Sequence, residues 1–165
     1  MSNSKFDPTS RRAIQGLAYQ ESVLSELADV FFRVSPIRDW LKDIDVCLNS
    51  NQLNMLEQVW GDIVVFPDES LMFPVFVECV SLNFENSRFP ESKIRKFVGD
   101  NRFYAFGWEG AETKFISSAA WNSYASKLEM FSSHGRKYRK FSRYIINNVR
   151  KSCCGASEFK SLILD

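Results

Sequence analysis

The sequence has little of what most metal and redox sites in small proteins are built from. It contains one histidine, His134, which precedes a glycine. Because there is no second histidine, a histidine-based metal site or catalytic triad is not expected. Its four cysteines have neither zinc-like nor disulfide-framework spacing. We expect them to be reduced thiols in a cytoplasmic protein, because disulfides are rare in that compartment.

Long apolar runs and a strong net charge are also absent. No run approaches the roughly 20 residues that a membrane helix needs, so neither a membrane span nor a signal peptide is expected. The net charge of +1 indicates no partner by itself, and there is no internal repeat. A length of 165 residues is enough for one domain with a proper core.

Two apolar runs flank a turn between residues 60 and 83. Residues 63–66 are β-branched and aromatic, which predicts a strand that is buried on both faces. Residues 73–80 predict a second strand that is apolar except for Glu78. Asp62 stands at the head of the first strand, so a hairpin would make the two acids neighbours. Two converging carboxylates form a minimal cradle for a hard divalent cation such as Mg²⁺.

This pattern resembles the core motif of the restriction-endonuclease-like nucleases, in which an aspartate, a short gap and acid-any-lysine occupy neighbouring strands. The resemblance covers residues 12 to 120. It implies that Asp62 and Glu78 are catalytic and bind Mg²⁺ or Mn²⁺, and that Cys79 offers its carbonyl. The lysine position holds Val80, which can neither orient water nor stabilise charge on a phosphate.

Two more site residues follow from the resemblance. Lys93, with Lys96 as the next choice, is expected to replace the missing lysine from the following helix. Glu21, on the first helix, is expected to face the metal. Structural roles stay open for all of them: Asp62 as a turn residue, Glu78 as a structural partner of a lysine, and Glu21 as a solvated side chain.

The periodicity of apolar residues predicts an α/β fold. Helices are expected over 11–33, 91–98 and 119–131, and strands, besides the hairpin, over 43–48, 103–108 and 113–117. Residues 49–54 are expected to be a loop, and 84–90 to be irregular. The order αβββαββα predicts a three-layer-like sandwich of helices around a central mixed sheet, as in the restriction-endonuclease-like fold. We expect a flexible N-terminus (1–10), a nuclease-like core (11–133) and a basic C-terminal segment (134–165), helical and packed on or extending from the core.

The C-terminal segment concentrates positive charge. Residues 130–157 contain seven cations and no acid, with Tyr138 and Phe141 interleaved among them. Cations bind phosphates and aromatic rings stack on unpaired bases. The predicted nucleic-acid contacts are Arg136, Lys137, Arg139, Lys140 and Arg143. The alternative is a solvated basic helix whose aromatic side chains face the domain.

Three functions are compatible with these patterns. The first is Mg²⁺-dependent hydrolysis of phosphodiesters in nucleic acid, with DNA favoured over RNA. The second is nucleic-acid binding without catalysis. The third is a regulatory or protein-interaction module that retains the fold. A homodimer or a protein partner is compatible with each.

Overall fold

The computed structural model describes residues 11–81, 86–108, 112–142, 149 and 153–164. The elements, in chain order, are α1 (Arg11–Ala28), β1 (Arg33–Pro36), α2 (Ile37–Asp43), α3 (Ser50–Trp60), β2 (Ile63–Phe66), β3 (Val75–Ser81), β4 (Asn86–Pro90), α4 (Glu91–Lys96), β5 (Arg102–Gly107), β6 (Lys114–Ser117), α5 (Ser118–Ala125), β7 (Met130–Ser133), β8 (Arg136–Ser142) and α6 (Ala156–Leu164). None of the helices in these ranges has the length and apolar character that crossing a bilayer requires.

The described residues form two sheets. The larger has five strands in the order β1-β2-β3-β5-β6, and the smaller has three in the order β4-β8-β7. In the larger sheet β3 and β5 are parallel, whereas the other neighbours are antiparallel. A parallel pair needs a crossover connection, and here the crossover contains β4 and α4. The predicted fold class, helices around a central mixed sheet, is confirmed.

Side chains alternate across the five-stranded sheet and give it two apolar faces. The α1 face packs against α1 and α6; its buried side chains include Ile63, Val65, Val77, Tyr19, Val23 and Phe159. The α4 face is covered by α2 to α5; its buried side chains include Val64, Phe76, Tyr104, Phe97, Trp121 and Phe141. Asp62 is two residues before Val64, and Glu78 is two residues after Phe76. Both acids therefore lie on the α4 face.

The strand predicted over 43–48 was wrong. After α2 the chain turns at Asp45, which has a positive φ of 57°, and the Val46 N–H donates to the Leu41 carbonyl at 2.8 Å. Ile44 is 48% exposed in this turn, so its apolar side chain is not buried against a sheet. The first strand of the sheet is instead β1.

The loop predicted over 49–54 was also wrong, because α3 begins there. The Gln52 N–H donates to the Asn49 side chain at 2.9 Å, and the Asn49 N–H donates to the Gln52 side chain at 3.0 Å. This reciprocal capping box satisfies two N–H groups at the helix start. Residues 86–90, predicted to be irregular, form β4.

The C-terminal part differs most from prediction. The helix expected to reach residue 131 ends at Ala125, and β7 and β8 follow as a hairpin. Its two turn residues, His134 and Gly135, have φ values of 51° and 76°, as a two-residue type I′ turn requires. The basic residues 136–142, expected to be helical, are therefore a strand, whereas Ala156–Leu164 of the same segment form the helix α6.

Candidate active site

A glycine turn places the first acid. The Gly61 N–H caps α3 by donating to the Glu57 carbonyl at 2.8 Å. Gly61 has a φ of +74°, and a Cβ there would lie 2.8 Å from the Val77 carbonyl oxygen. The next residue, Asp62, donates its N–H to that same oxygen at 2.9 Å. The turn therefore needs glycine in order to bring Asp62 against β3.

The second acid lies opposite the first. The antiparallel register that pairs Ile63 with Val77 places Asp62 across from Glu78, one step further along the ladder. The Cys79 N–H donates to Asp62 Oδ2 at 2.9 Å, which fixes the aspartate side chain. The predicted hairpin thus brings the two carboxylates together on the α4 face.

Lys93, which lies on α4, is the cation beside the two acids. Its Nζ lies 3.0 Å from Glu78 Oε1, with side-chain exposures of only 12% and 16% for the lysine and the glutamate. The ammonium also donates to the Glu57 carbonyl at 3.2 Å, at the C-terminal end of α3. Val80 is partly buried and packs against the hydrophobic core on the α4 face. A lysine from α4 therefore reaches the acid pair although β3 carries none at position 80.

Burial dominates the electrostatics of the pair. It raises the pKa of Glu78 to about 8, with the Asp62 charge adding to the rise and Lys93 opposing it. Burial also raises the pKa of Asp62, against the Cys79 N–H and Lys93, which lower it. Glu78 Oε2 is buried and has no hydrogen-bond partner among the described residues. If both carboxyls were ionised, their negative charge would therefore exceed what Lys93 and the Cys79 N–H compensate.

A second ion pair, which the sequence analysis missed, borders the site. Arg38 Nε and Nη2 donate to the two Glu57 carboxylate oxygens at 2.6 and 3.3 Å. The Glu57 charge raises the pKa of both Asp62 and Glu78. The Asn49-to-Gln52 spacing could have indicated that Glu57 lies on a helix just before the site, whereas nothing in the sequence pointed to Arg38.

Glu21 is not brought to this pair. It is exposed on α1, and α1 packs on the face of the sheet opposite to the one that carries Asp62 and Glu78. Within the described ranges, no group of three or more histidine, cysteine, aspartate or glutamate side chains is arranged to hold a metal. Asp62 and Glu78 are brought together at the point where the chain enters β2 and runs along β3.

The pair suits a cation that takes few protein ligands. Mg²⁺ prefers oxygen, keeps several waters and is often bound through one or two carboxylates plus substrate phosphate. Asp62 and Glu78 supply such oxygens, and the buried Oε2 of Glu78, which has no hydrogen-bond partner among the described residues, is available as a metal ligand. The residues present therefore fit Mg²⁺ or Mn²⁺.

The predicted nucleic-acid contacts divide between two roles. Arg136, Lys137 and Lys140 are exposed on β8. Arg139 instead pairs with Glu91 of α4, at 2.7 and 3.2 Å, with side-chain exposures of 16% and 15%. This ion pair connects β8 to α4, the helix that carries Lys93. Arg143 lies outside the described residues.

No protein-family model matches the sequence, and no curated protein matches it. Among solved structures, the chain is similar to Archaeoglobus fulgidus Hjc, a Holliday junction resolvase from an archaeal hyperthermophile. The TM-score is 0.53 at 11% sequence identity, and the match covers 88% of this chain and 95% of the resolvase. At this identity the similarity concerns the fold: the chain has a mixed α/β, restriction-endonuclease-like architecture.

Proposed function

We propose that this protein is a metal-dependent nuclease acting on DNA through Asp62, Glu78 and Lys93. The observation that carries the proposal is the 3.0 Å contact between Lys93 Nζ and Glu78 Oε1, which supplies from α4 the cation missing at Val80. The similarity of the fold to that of a Holliday junction resolvase supports a nucleic-acid substrate and favours DNA over RNA.

Each residue has a role that follows from its contacts. Asp62 and Glu78 would hold the Mg²⁺ or Mn²⁺ ion, which when bound supplies a Lewis acid for the phosphate and lowers the pKa of a water. The Cys79 N–H orients the Asp62 carboxylate. Lys93 holds Glu78 in place, and its ammonium can donate to a phosphate oxygen or to the attacking water. Cys47 and Cys79 are free thiols, which is consistent with the proposed cytoplasmic location.

The test combines a cleavage assay with a melting assay. Wild-type protein should cleave supercoiled plasmid or a four-way DNA junction in millimolar Mn²⁺, and Mn²⁺ should raise its melting temperature by mass action. Glu78→Gln should lose both effects, because a neutral amide is a poor ligand for a hard cation. Glu21→Gln, an exposed acid on the opposite face, is the matched control and should retain both. Wild-type protein that shows neither cleavage nor a metal-dependent melting shift would end the catalytic proposal.

A non-catalytic interaction module that retains the fold is the second candidate. It is favoured by the hydrogen bond from Lys93 to the Glu57 carbonyl at 3.2 Å, because a cation at a helix C-terminus stabilises the helix without any chemistry. In that case Lys93→Ala would lower the melting temperature, and the wild-type protein would bind its partner without cleaving DNA.

A further inference from the structure

The three-stranded sheet has an inner and an outer face. On the inner face, Phe89 and Phe141 are buried in the core, and Arg139 is paired with Glu91. Side chains alternate along a strand, so the residues between these point away from the core. The inner face accounts for how this sheet is attached to the core, and the opposite side carries the exposed side chains of Arg88, Arg136 and Lys140.

The outer face, as we define it, carries cations around two rings: its members are Arg88, Phe131, Arg136, Tyr138 and Lys140. The register confirms that they share one side, since Phe131 pairs with Tyr138 and Arg88 pairs with Lys140. The Phe131 and Tyr138 rings lie 5.7 Å apart with an interplanar angle of 28°. The Arg88 guanidinium lies 4.6 Å from the Tyr138 ring centre. The three cations are exposed, and the two rings are half-buried.

The charge on this sheet is of one sign. The sequences of β4, β7 and β8 contain five cations, Arg88, Arg136, Lys137, Arg139 and Lys140, and no acid. Of these, Arg139 is neutralised by Glu91. Along β8, Arg136, Tyr138 and Lys140 follow one another in steps of about 7 Å, as cation, ring and cation. A polyanion with exposed planar groups matches this alternation.

We propose that the outer face binds an unpaired segment of nucleic acid, with one base stacked on the Tyr138–Phe131 rings and the flanking phosphates on Arg88, Arg136 and Lys140. Bases stack on aromatic side chains irrespective of sequence, and cations track the backbone. In a duplex the base faces are covered by neighbouring base pairs, so the rings add affinity only where bases are unstacked. This inference rests on the proposed function for its substrate class and narrows that class to DNA with unpaired nucleotides.

The test measures binding by fluorescence anisotropy in EDTA, so that cleavage plays no part. The probes are a labelled 12-nucleotide oligothymidylate and a labelled 12-base-pair duplex. Tyr138→Leu should weaken binding of the single strand about 5- to 150-fold and change duplex binding much less, whereas Tyr138→Phe should retain single-strand affinity. Equal losses on both probes, or wild-type affinity of Tyr138→Leu for the single strand, would overturn the proposal.

Exposed cations provide a second test that does not depend on a half-buried ring. Lys140→Ala should weaken single-strand binding and lower the slope of log K against log salt by about 0.7 to 1. Lys137→Ala removes a cation from the same strand on the opposite face, so its effect should be smaller. Equal effects of the two would contradict the assignment of faces.

The two proposals fail separately. Specific single-strand binding with no cleavage in Mn²⁺ would refute the proposed nuclease activity and support the proposed binding by the outer face. If Tyr138→Leu changed neither cleavage nor binding, the proposed binding by the outer face would be refuted and the proposed nuclease activity would be supported.

Discussion

Replacing Glu78 with glutamine should change how the stability of the metal-free protein depends on pH. The pKa of Glu78 lies at about 8 because its carboxyl is buried beside Asp62, and Lys93 only partly offsets this. Glutamine has the shape of the protonated acid but cannot ionise. The variant therefore isolates the cost of ionising this one buried carboxyl.

The sign and size of the effect follow from the two pKa values. The ordinary pKa of 4.5 applies to the unfolded chain, and about 8 applies to the folded one. Between these values the folded state keeps a proton that the unfolded state has lost, so the free energy of unfolding falls as pH rises. The full difference corresponds to about 5 kcal/mol. Relaxation around the ionised pair reduces this, and we expect a loss of about 2 to 4 kcal/mol between pH 5 and pH 8.5.

Urea unfolding in EDTA, repeated from pH 5 to pH 8.5, measures this loss. Glu78→Gln should match wild type near pH 5 to within about 1 kcal/mol and exceed it by about 2 to 4 kcal/mol at pH 8.5. Asp62 is present in both proteins, so the part of its contribution that does not depend on the charge of Glu78 cancels in the difference. Glu21→Gln, exposed on α1, should follow the wild-type profile. Parallel profiles for wild type and Glu78→Gln would refute the reasoning, because Glu78 would then be ionised throughout.

Two further predictions concern how the site is supported, both measured by urea unfolding. Arg139→Ala should lower the free energy of unfolding, because it leaves the Glu91 carboxylate without its partner, whereas Lys137→Ala should stay within about 0.5 kcal/mol of wild type. Gly61→Ala should cost about 2 to 4 kcal/mol, since its Cβ would lie 2.8 Å from a β3 carbonyl oxygen at a φ of +74°. Gly16→Ala, with nothing within 4 Å of the added Cβ, should be neutral or stabilising by up to about 1 kcal/mol. Equal effects within either matched pair would contradict the packing described.

The central hairpin and its acids could be predicted because local signals and tertiary structure agree there. The β-branched run at 63–66 is a strand buried on both faces, and Glu78 stands out because a carboxylate in an apolar strand needs a partner. Lys93 could be chosen as that partner because its helix follows β3 along the chain. The opposite placement of Glu21 could not be predicted, since the face of the sheet that α1 covers is decided by packing.

The C-terminal part could not be predicted from periodicity alone. Tyr138 and Phe141 have the three-residue spacing of a helix face, but pairing with β4 and β7 makes residues 136–142 a strand and sends these two rings to opposite faces. Tertiary pairing overrides local preference in such segments. A signal was present at His134 and Gly135, because a residue followed by glycine suits the two positive-φ positions of a hairpin turn, and both have positive φ here.

The most direct test asks whether Lys93 takes the role of the lysine that β3 lacks. Single-turnover cleavage of labelled DNA in Mn²⁺ should be measured for wild type, Lys93→Ala and the double variant Lys93→Ala/Val80→Lys, each first checked for native melting. Lys93→Ala should be slower by about 100-fold or more. The double variant should recover at least about tenfold of that loss, because residue 80 lies on the same face of β3 as Glu78. Wild-type cleavage rates in Lys93→Ala would contradict the catalytic role of this lysine.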